Sequence, residues 1–209
     1  MRSLDLPQAV IGARNSVNDA IRALPVWLVY IVSLLPGLWL FYLAVENRLG
    51  IEPIEALEHR LGLIALQFLL AGLCITPLRR FARLNLLRFR RAIGLMGFYY
   101  LCAHLLVWAV LDVQSLDRVI TDILKRPYIT IGMLGFVLLV PLALTSTNWA
   151  IRRLGALNWR RLHRLVYGAV IFAGLHFVML RKGIQLEPVI YLAVATVLVG
   201  LRWYPARHG

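Results

Sequence analysis

A chain of 209 residues that is 60% hydrophobic, with a mean hydropathy of +0.73, is too apolar for an ordinary soluble domain and belongs to the multi-pass membrane class. Its net charge of +13 would suggest nucleic acid in a soluble chain, but the basic residues sit in short loops between apolar runs, which argues against nucleic acid as a partner. The two cysteines, Cys74 and Cys102, fall inside apolar runs and in no CxxC or CxxCH pattern, which excludes a zinc knuckle and covalent haem attachment.

Residues 1–23 mix polar and apolar side chains and lack a compact apolar stretch with a small-residue cleavage site. They are expected to be a cytoplasmic or interfacial segment, with a short helix on the membrane surface, and not a removable signal peptide. Residues 24–204 then read as a six-transmembrane-helix bundle, all-α and integral to the membrane, followed by a short tail, 205–209. The spans fall at about 24–45, 56–76, 92–111, 128–147, 165–180 and 188–204. Pro36 and Gly37 predict a kink in the first, and Pro77 is expected to stop the second. Trp27, Tyr128, Trp149, Trp159, Trp203 and Tyr204 lie near span ends, as interfacial anchors do. Of the 23 Lys and Arg residues, 16 fall on the side of the N-terminus, the loops 77–91 and 148–164 and the C-terminus. Eight of the ten acids fall on the other side. The positive-inside rule puts both termini in the cytoplasm. The arginines of loop 77–91 read as that topology signal, in contact with anionic lipid.

The fifth span is uncharged from Leu165 to Leu180 and carries His163 at its start and His176 within it. An imidazole inside a bilayer needs a partner. The third span runs in the same direction and places His104 about 18 Å from its cytoplasmic end, and the fifth places His176 about 20 Å in. Two histidines on different helices at one depth fit the two axial positions of a single haem. Such ligation fills both iron positions and favours electron transfer over oxygen chemistry. Two unrelated, hydrogen-bonded core histidines are the bland alternative.

A second haem would call for a histidine about 14 residues before His104, where the chain has Arg90. On a continuous helix His163 is rotated by about 140° from His176. His163 either binds a second cofactor with another partner or closes the helix at the cytoplasmic interface. His59, in Glu58-His59-Arg60 near the periplasmic face, either meets haem propionates together with Arg60, binds a quinone headgroup, or is a wet interfacial histidine. Nothing is read into His208. Thr145-Ser146-Thr147 ends the fourth span, and hydroxyls there are expected to bond backbone carbonyls.

These residues, taken as an ordered set, carry a resemblance. Ile75-Thr76-Pro77-Leu78, Arg90-Arg91 with Gly94-Leu95, and Ala103-His104 are followed by Arg126-Pro127-Tyr128 and Thr145-Ser146-Thr147. Leu162-His163 with Val166-Tyr167, His176, and Pro188-Val189-Ile190-Tyr191 complete it. The chain resembles the MsrQ (YedZ-type) family of haem-binding membrane subunits, within the wider ferric-reductase-like transmembrane group. The resemblance implies b-type haem held by His104 and His176, with His163 also a family histidine, and an FMN. It further implies a place in the bacterial inner membrane, electrons drawn from the quinone pool, and a periplasmic molybdenum-containing reductase subunit as partner. That subunit would repair methionine sulfoxide in oxidised proteins. Arg90 departs from the two-haem ferric reductases. The chain itself shows no site for sulfoxide chemistry and reads as the electron-transfer subunit. The rivals are a stand-alone ferric or cupric reductase and a haem-free transporter or scaffold. No internal repeat and no mid-span carboxylate favours the last.

Overall fold

The computed structural model describes residues 8–181, 183 and 185–202. Residues 1–7, Lys182, Ile184, Trp203, Tyr204 and the tail 205–209 with His208 lie outside the described residues. Among those described, every regular element is a helix: α1 Gln8–Ala23, α2 Val26–Val45, α3 Pro53–Pro77, α4 Arg90–Leu106, α5 Leu116–Lys125, α6 Pro127–Leu144, α7 Asn148–Leu154, α8 Ala156–Leu162, α9 Leu165–Leu180 and α10 Leu186–Gly200. Five stretches are long and apolar enough to cross a membrane: Val26–Val45, Pro53–Ala82, Leu87–Val113, Pro127–Leu144 and Ala156–Leu180. The sixth expected span is the apolar α10, whose 15 described residues reach about 22 Å at 1.5 Å each, against a hydrocarbon core of about 30 Å. It packs on α9 and α3.

The second span does not stop at Pro77. The helix continues as a wide π turn, Leu78–Ala82, and ends where Arg83 takes a left-handed conformation at φ 55°. A turn of this kind re-routes the backbone hydrogen bonding that a proline interrupts. The third span likewise ends in a π segment, Val107–Val113, closed by Gln114 at φ 59°. The fifth is broken. α8 and α9 are separate helices, with His163 and Arg164 forming the turn between them, so His163 and His176 do not share one continuous helix.

Pro36 lies inside α2, as expected, and the structure shows how the interruption is filled. Gly37 N–H donates to the Tyr100 hydroxyl (2.9 Å), which donates to the Ser33 carbonyl (2.6 Å). In an ideal helix Gly37 would bond Ser33 directly. Here a tyrosine from α4 stands between them, and a Cβ on Gly37 would come within 3.0 Å of its ring and oxygen.

α3 is the central helix. Leu66, Leu69, Leu70 and Leu73 pack into a core with α6, α9 and α10, while Leu57, Leu61 and Ala65 pack with α2 and α4. The most extensive helix contacts are α3 with α4 and α6 with α9. α1 is tied to the arginine-rich loop: Asn18 Nδ2 donates to the Arg83 carbonyl (3.1 Å), and Asn85 N–H donates to Asn18 Oδ1 (3.0 Å). At the opposite end α5 lays Val119 and Ile123 on Trp108, Val113 and Ile129, and so delivers Arg126 and Tyr128 to the rim of a cavity.

Candidate functional site

A cavity of about 530 Å³ opens at the end of the bundle that carries Asp112 and Arg126 and runs inward between α3, α4, α6 and α9. Its size lies within the roughly 300–1,000 Å³ of cofactor and ligand sites. Leu66, Leu69, Leu139 and Ala169 form its apolar depth. Its polar rim holds Glu55, Glu58, His59, Asp112, Arg126, Arg181 and Gln185.

His104 from α4 and His176 from α9 face each other across it, with ring centroids 6.4 Å apart and ring planes 71° apart. His104 Nδ1 lies 2.9 Å from the Glu58 carbonyl, and His176 Nδ1 lies 2.7 Å from the Tyr128 carbonyl. A carbonyl only accepts, so each Nδ1 carries the proton and each Nε2 keeps its lone pair. Imidazole nitrogens bind first-row metals at about 2 Å, and the ring centre lies roughly 1.1 Å further back, so two imidazoles on one iron have centroids about 6.3 Å apart. The observed spacing fits that value. The backbone bond behind each ring fixes its tautomer and leaves Nε2 with the lone pair that a metal would need.

Two glycines complete the arrangement. A Cβ on Gly62 would lie 3.1 Å from His104 Nδ1, and one on Gly132 would lie 2.9 Å from His176 Nδ1. Each histidine ring thus rests on bare backbone of the neighbouring helix.

His59 also lines the cavity, with Nδ1 3.8 Å from the Glu55 carboxylate. Arg60, read with it from the sequence, does not line the histidine cavity; it faces an adjoining outer groove with Leu49, Glu52 and Ala56, which shares Glu55, His59 and Arg181 with the cavity rim. The cations that do line it are Arg126 and Arg181, which sequence reasoning did not single out. Arg126 is already engaged by Asp122 (3.1 Å) and the Tyr128 hydroxyl (3.3 Å). Arg181 Nε is buried and has no hydrogen-bond partner among the described residues. An orphaned guanidinium donor at the mouth of an apolar cavity suits a carboxylate-bearing ligand.

His163 is elsewhere. Its ring stacks on Trp159 (centroids 3.8 Å apart), and Nε2 meets Thr145 Oγ1 at 3.3 Å. The Thr145 hydroxyl gives its proton to the Pro141 carbonyl (2.6 Å), so it accepts from His163 Nε2–H. Ser146 Oγ donates to the Leu142 carbonyl (2.7 Å), and Thr147 Oγ1 caps α7 by accepting from Ala150 N–H (3.1 Å). Thr145 and Ser146 therefore bond backbone carbonyls, as the sequence suggested, whereas Thr147 accepts from a backbone N–H. Thr145 also holds His163.

Comparison with known proteins points the same way. The family described as ferric reductase like transmembrane component matches residues 60–174, a stretch that contains His104 and His163 and ends two residues before His176. The chain is 52% identical over 178 residues to a protein of Agrobacterium fabrum named protein-methionine-sulfoxide reductase heme-binding subunit MsrQ; the match spans 85% of this chain and 82% of that one. It is 46% identical over 200 residues to proteins of the same name from Brucella ovis and Brucella canis, across 95% of this chain and 90% of theirs. No solved structure matches the chain. With these identities over most of its length, the chain belongs to the MsrQ family of ferric-reductase-like transmembrane proteins.

Proposed function

We propose that this chain is the haem-binding, electron-transferring membrane subunit of a protein-methionine-sulfoxide reductase system, with His104 and His176 as the two axial ligands of one b-type haem. The carrying observation is the facing pair: two rings at the spacing one iron requires, each turned by a backbone carbonyl so that Nε2 looks inward. When bound, haem supplies one-electron chemistry, which suits it to stand between a two-electron quinol and a protein acceptor. The chain's residues bind and orient it. The depth formed by Leu66, Leu69, Leu139 and Ala169 would exclude water from the ring, and Arg181, with Arg126 and His59 also on the rim, would hold its carboxylates. No residue is assigned to FMN.

The bundle is read as six spans, with α10 the sixth and both termini in the cytoplasm of a bacterial cell with an inner membrane. The excess of arginine on the side of loops 77–91 and 148–164 supports this orientation. The cavity then opens on the periplasmic side, where a soluble molybdenum-containing reductase subunit would dock and accept electrons. The membrane quinone pool is the donor.

The purified protein should show a low-spin b-type visible spectrum; a haem-free transporter or scaffold would show none. In membranes stripped of soluble proteins, added quinol should reduce the chromophore. Periplasmic reductase subunit with a methionine sulfoxide substrate should then reoxidise it. A chromophore that stays oxidised with quinol, but is reduced through a cytoplasmic flavin reductase, would overturn the donor assignment. Ferric or cupric reduction without any partner subunit would favour the stand-alone reductase.

A further inference from the structure

The supports behind His104 and His176 are built alike, although they come from different parts of the chain. His104 donates to the carbonyl of Glu58 and rests on Gly62, while His176 donates to the carbonyl of Tyr128 and rests on Gly132. In both, the glycine lies four residues after the accepting carbonyl, on the helix that packs most extensively against the histidine's own. Side chains on a helix tilt towards its N-terminus, so the Cβ of residue i+4 hangs over the carbonyl of residue i. A glycine there uncovers that carbonyl and leaves room for a ring edge. The carbonyl keeps its helical bond and uses its second lone pair for the imidazole.

We propose that Gly62 and Gly132 are positioning residues: with the Glu58 and Tyr128 carbonyls they lock the rotation of the two imidazoles and hold their planes far from parallel. This rests on the reading of His104 and His176 as haem ligands. Each ring is fixed at Nδ1 by a hydrogen bond and on one flank by bare backbone, so neither turns freely about its bond to the iron. The consequence is electronic. Parallel axial imidazoles split the two iron d orbitals of π symmetry and give a rhombic low-spin resonance. Planes 71° apart leave those orbitals nearly degenerate and give a strongly anisotropic one.

The test is electron paramagnetic resonance of the oxidised, haem-loaded protein, alone and as Gly62→Ala, Gly132→Ala and Gly168→Ala. Gly168 is the control: it lies on α9, and a Cβ there would meet only the flexible Leu138 Cδ1, at 3.3 Å. Wild type should show a single low-field feature of large g anisotropy. Gly132→Ala, the more crowded by distance, should shift that line most, Gly62→Ala less, and Gly168→Ala not at all. Haem loss from Gly132→Ala but not from Gly168→Ala also supports the cradle. A three-line rhombic spectrum in wild type overturns the proposal, whatever becomes of the variants. So does a line unchanged in both Gly62→Ala and Gly132→Ala, and so does equal haem loss in Gly168→Ala. If His104→Ala and His176→Ala keep their haem, it is the ligand assignment that fails. If those two lose it while the glycine variants keep the wild-type line, only the present inference fails.

Discussion

The two ends of the bundle treat histidine in opposite ways. At the end carrying Arg126 and Arg181, His104 and His176 give their Nδ1 protons to backbone carbonyls and have no hydrogen bond at Nε2 among the described residues, with ring centres 6.4 Å apart. At the arginine-rich end, His163 spends its Nε2 proton on Thr145 and stacks on Trp159. The first pair lines one cavity and is the proposed ligand pair. The third histidine has its Nε2 engaged by Thr145. Residue type alone does not make a ligand; the hydrogen bond on the other nitrogen does.

The largest expected effect lies in the facing pair. His104→Ala or His176→Ala should remove most of the bound haem, measured as pyridine haemochrome per chain. Wild-type haem content in both variants would erase the contrast between the ends.

Next comes the rim. Arg181→Gln removes a donor that has no partner within the described chain. A hydrogen bond to a charged group contributes about 1.5–3 kcal/mol, so haem should transfer to an apo-globin acceptor roughly ten- to a hundredfold more readily. The visible spectrum should stay low-spin, since both axial nitrogens remain. Arg60→Gln, at a cation that does not line the cavity, should change the transfer rate far less than Arg181→Gln.

A smaller effect should appear between the ends, in the α2–α4 contact. Tyr100→Phe deletes the hydroxyl that links Gly37 N–H to the Ser33 carbonyl. The freed groups can partly re-pair within α2, so the expected loss of stability is about 1 kcal/mol, read from unfolding in detergent with haem content held constant.

The smallest expected change to the bound haem is His163→Ala, which should leave the haem stoichiometry of one per chain and the visible spectrum in place. Its effect should fall on electron entry from the arginine-rich side. Two tightly held haems in wild type, one of them lost in this variant, would make the ends alike and sink the comparison.

The sequence determined what is local. Length and apolarity are read along a single stretch, so the helical class and the approximate spans were legible, and counting along two spans put His104 and His176 at one depth. Tertiary structure decided the rest. The Glu58 and Tyr128 carbonyls lie 46 and 48 residues from the rings they orient, and no local pattern announces a backbone acceptor. Gly62 and Gly132 are single glycines of a kind common in membrane helices, and only the neighbouring ring gives them meaning. Arg60 adjoins His59 in the chain, so one sequence reading of His59 puts Arg60 beside it; the convergence of helix ends brings Arg181 to the cavity rim with His59 instead. The break at His163 was hidden for a similar reason. The apolar run read from the sequence begins only at Leu165, while the helical stretch reaches back to Ala156 and the turn inside it is held by Thr145 and Trp159, through contacts to Thr145 that exist only once the end of α6 lies beside it.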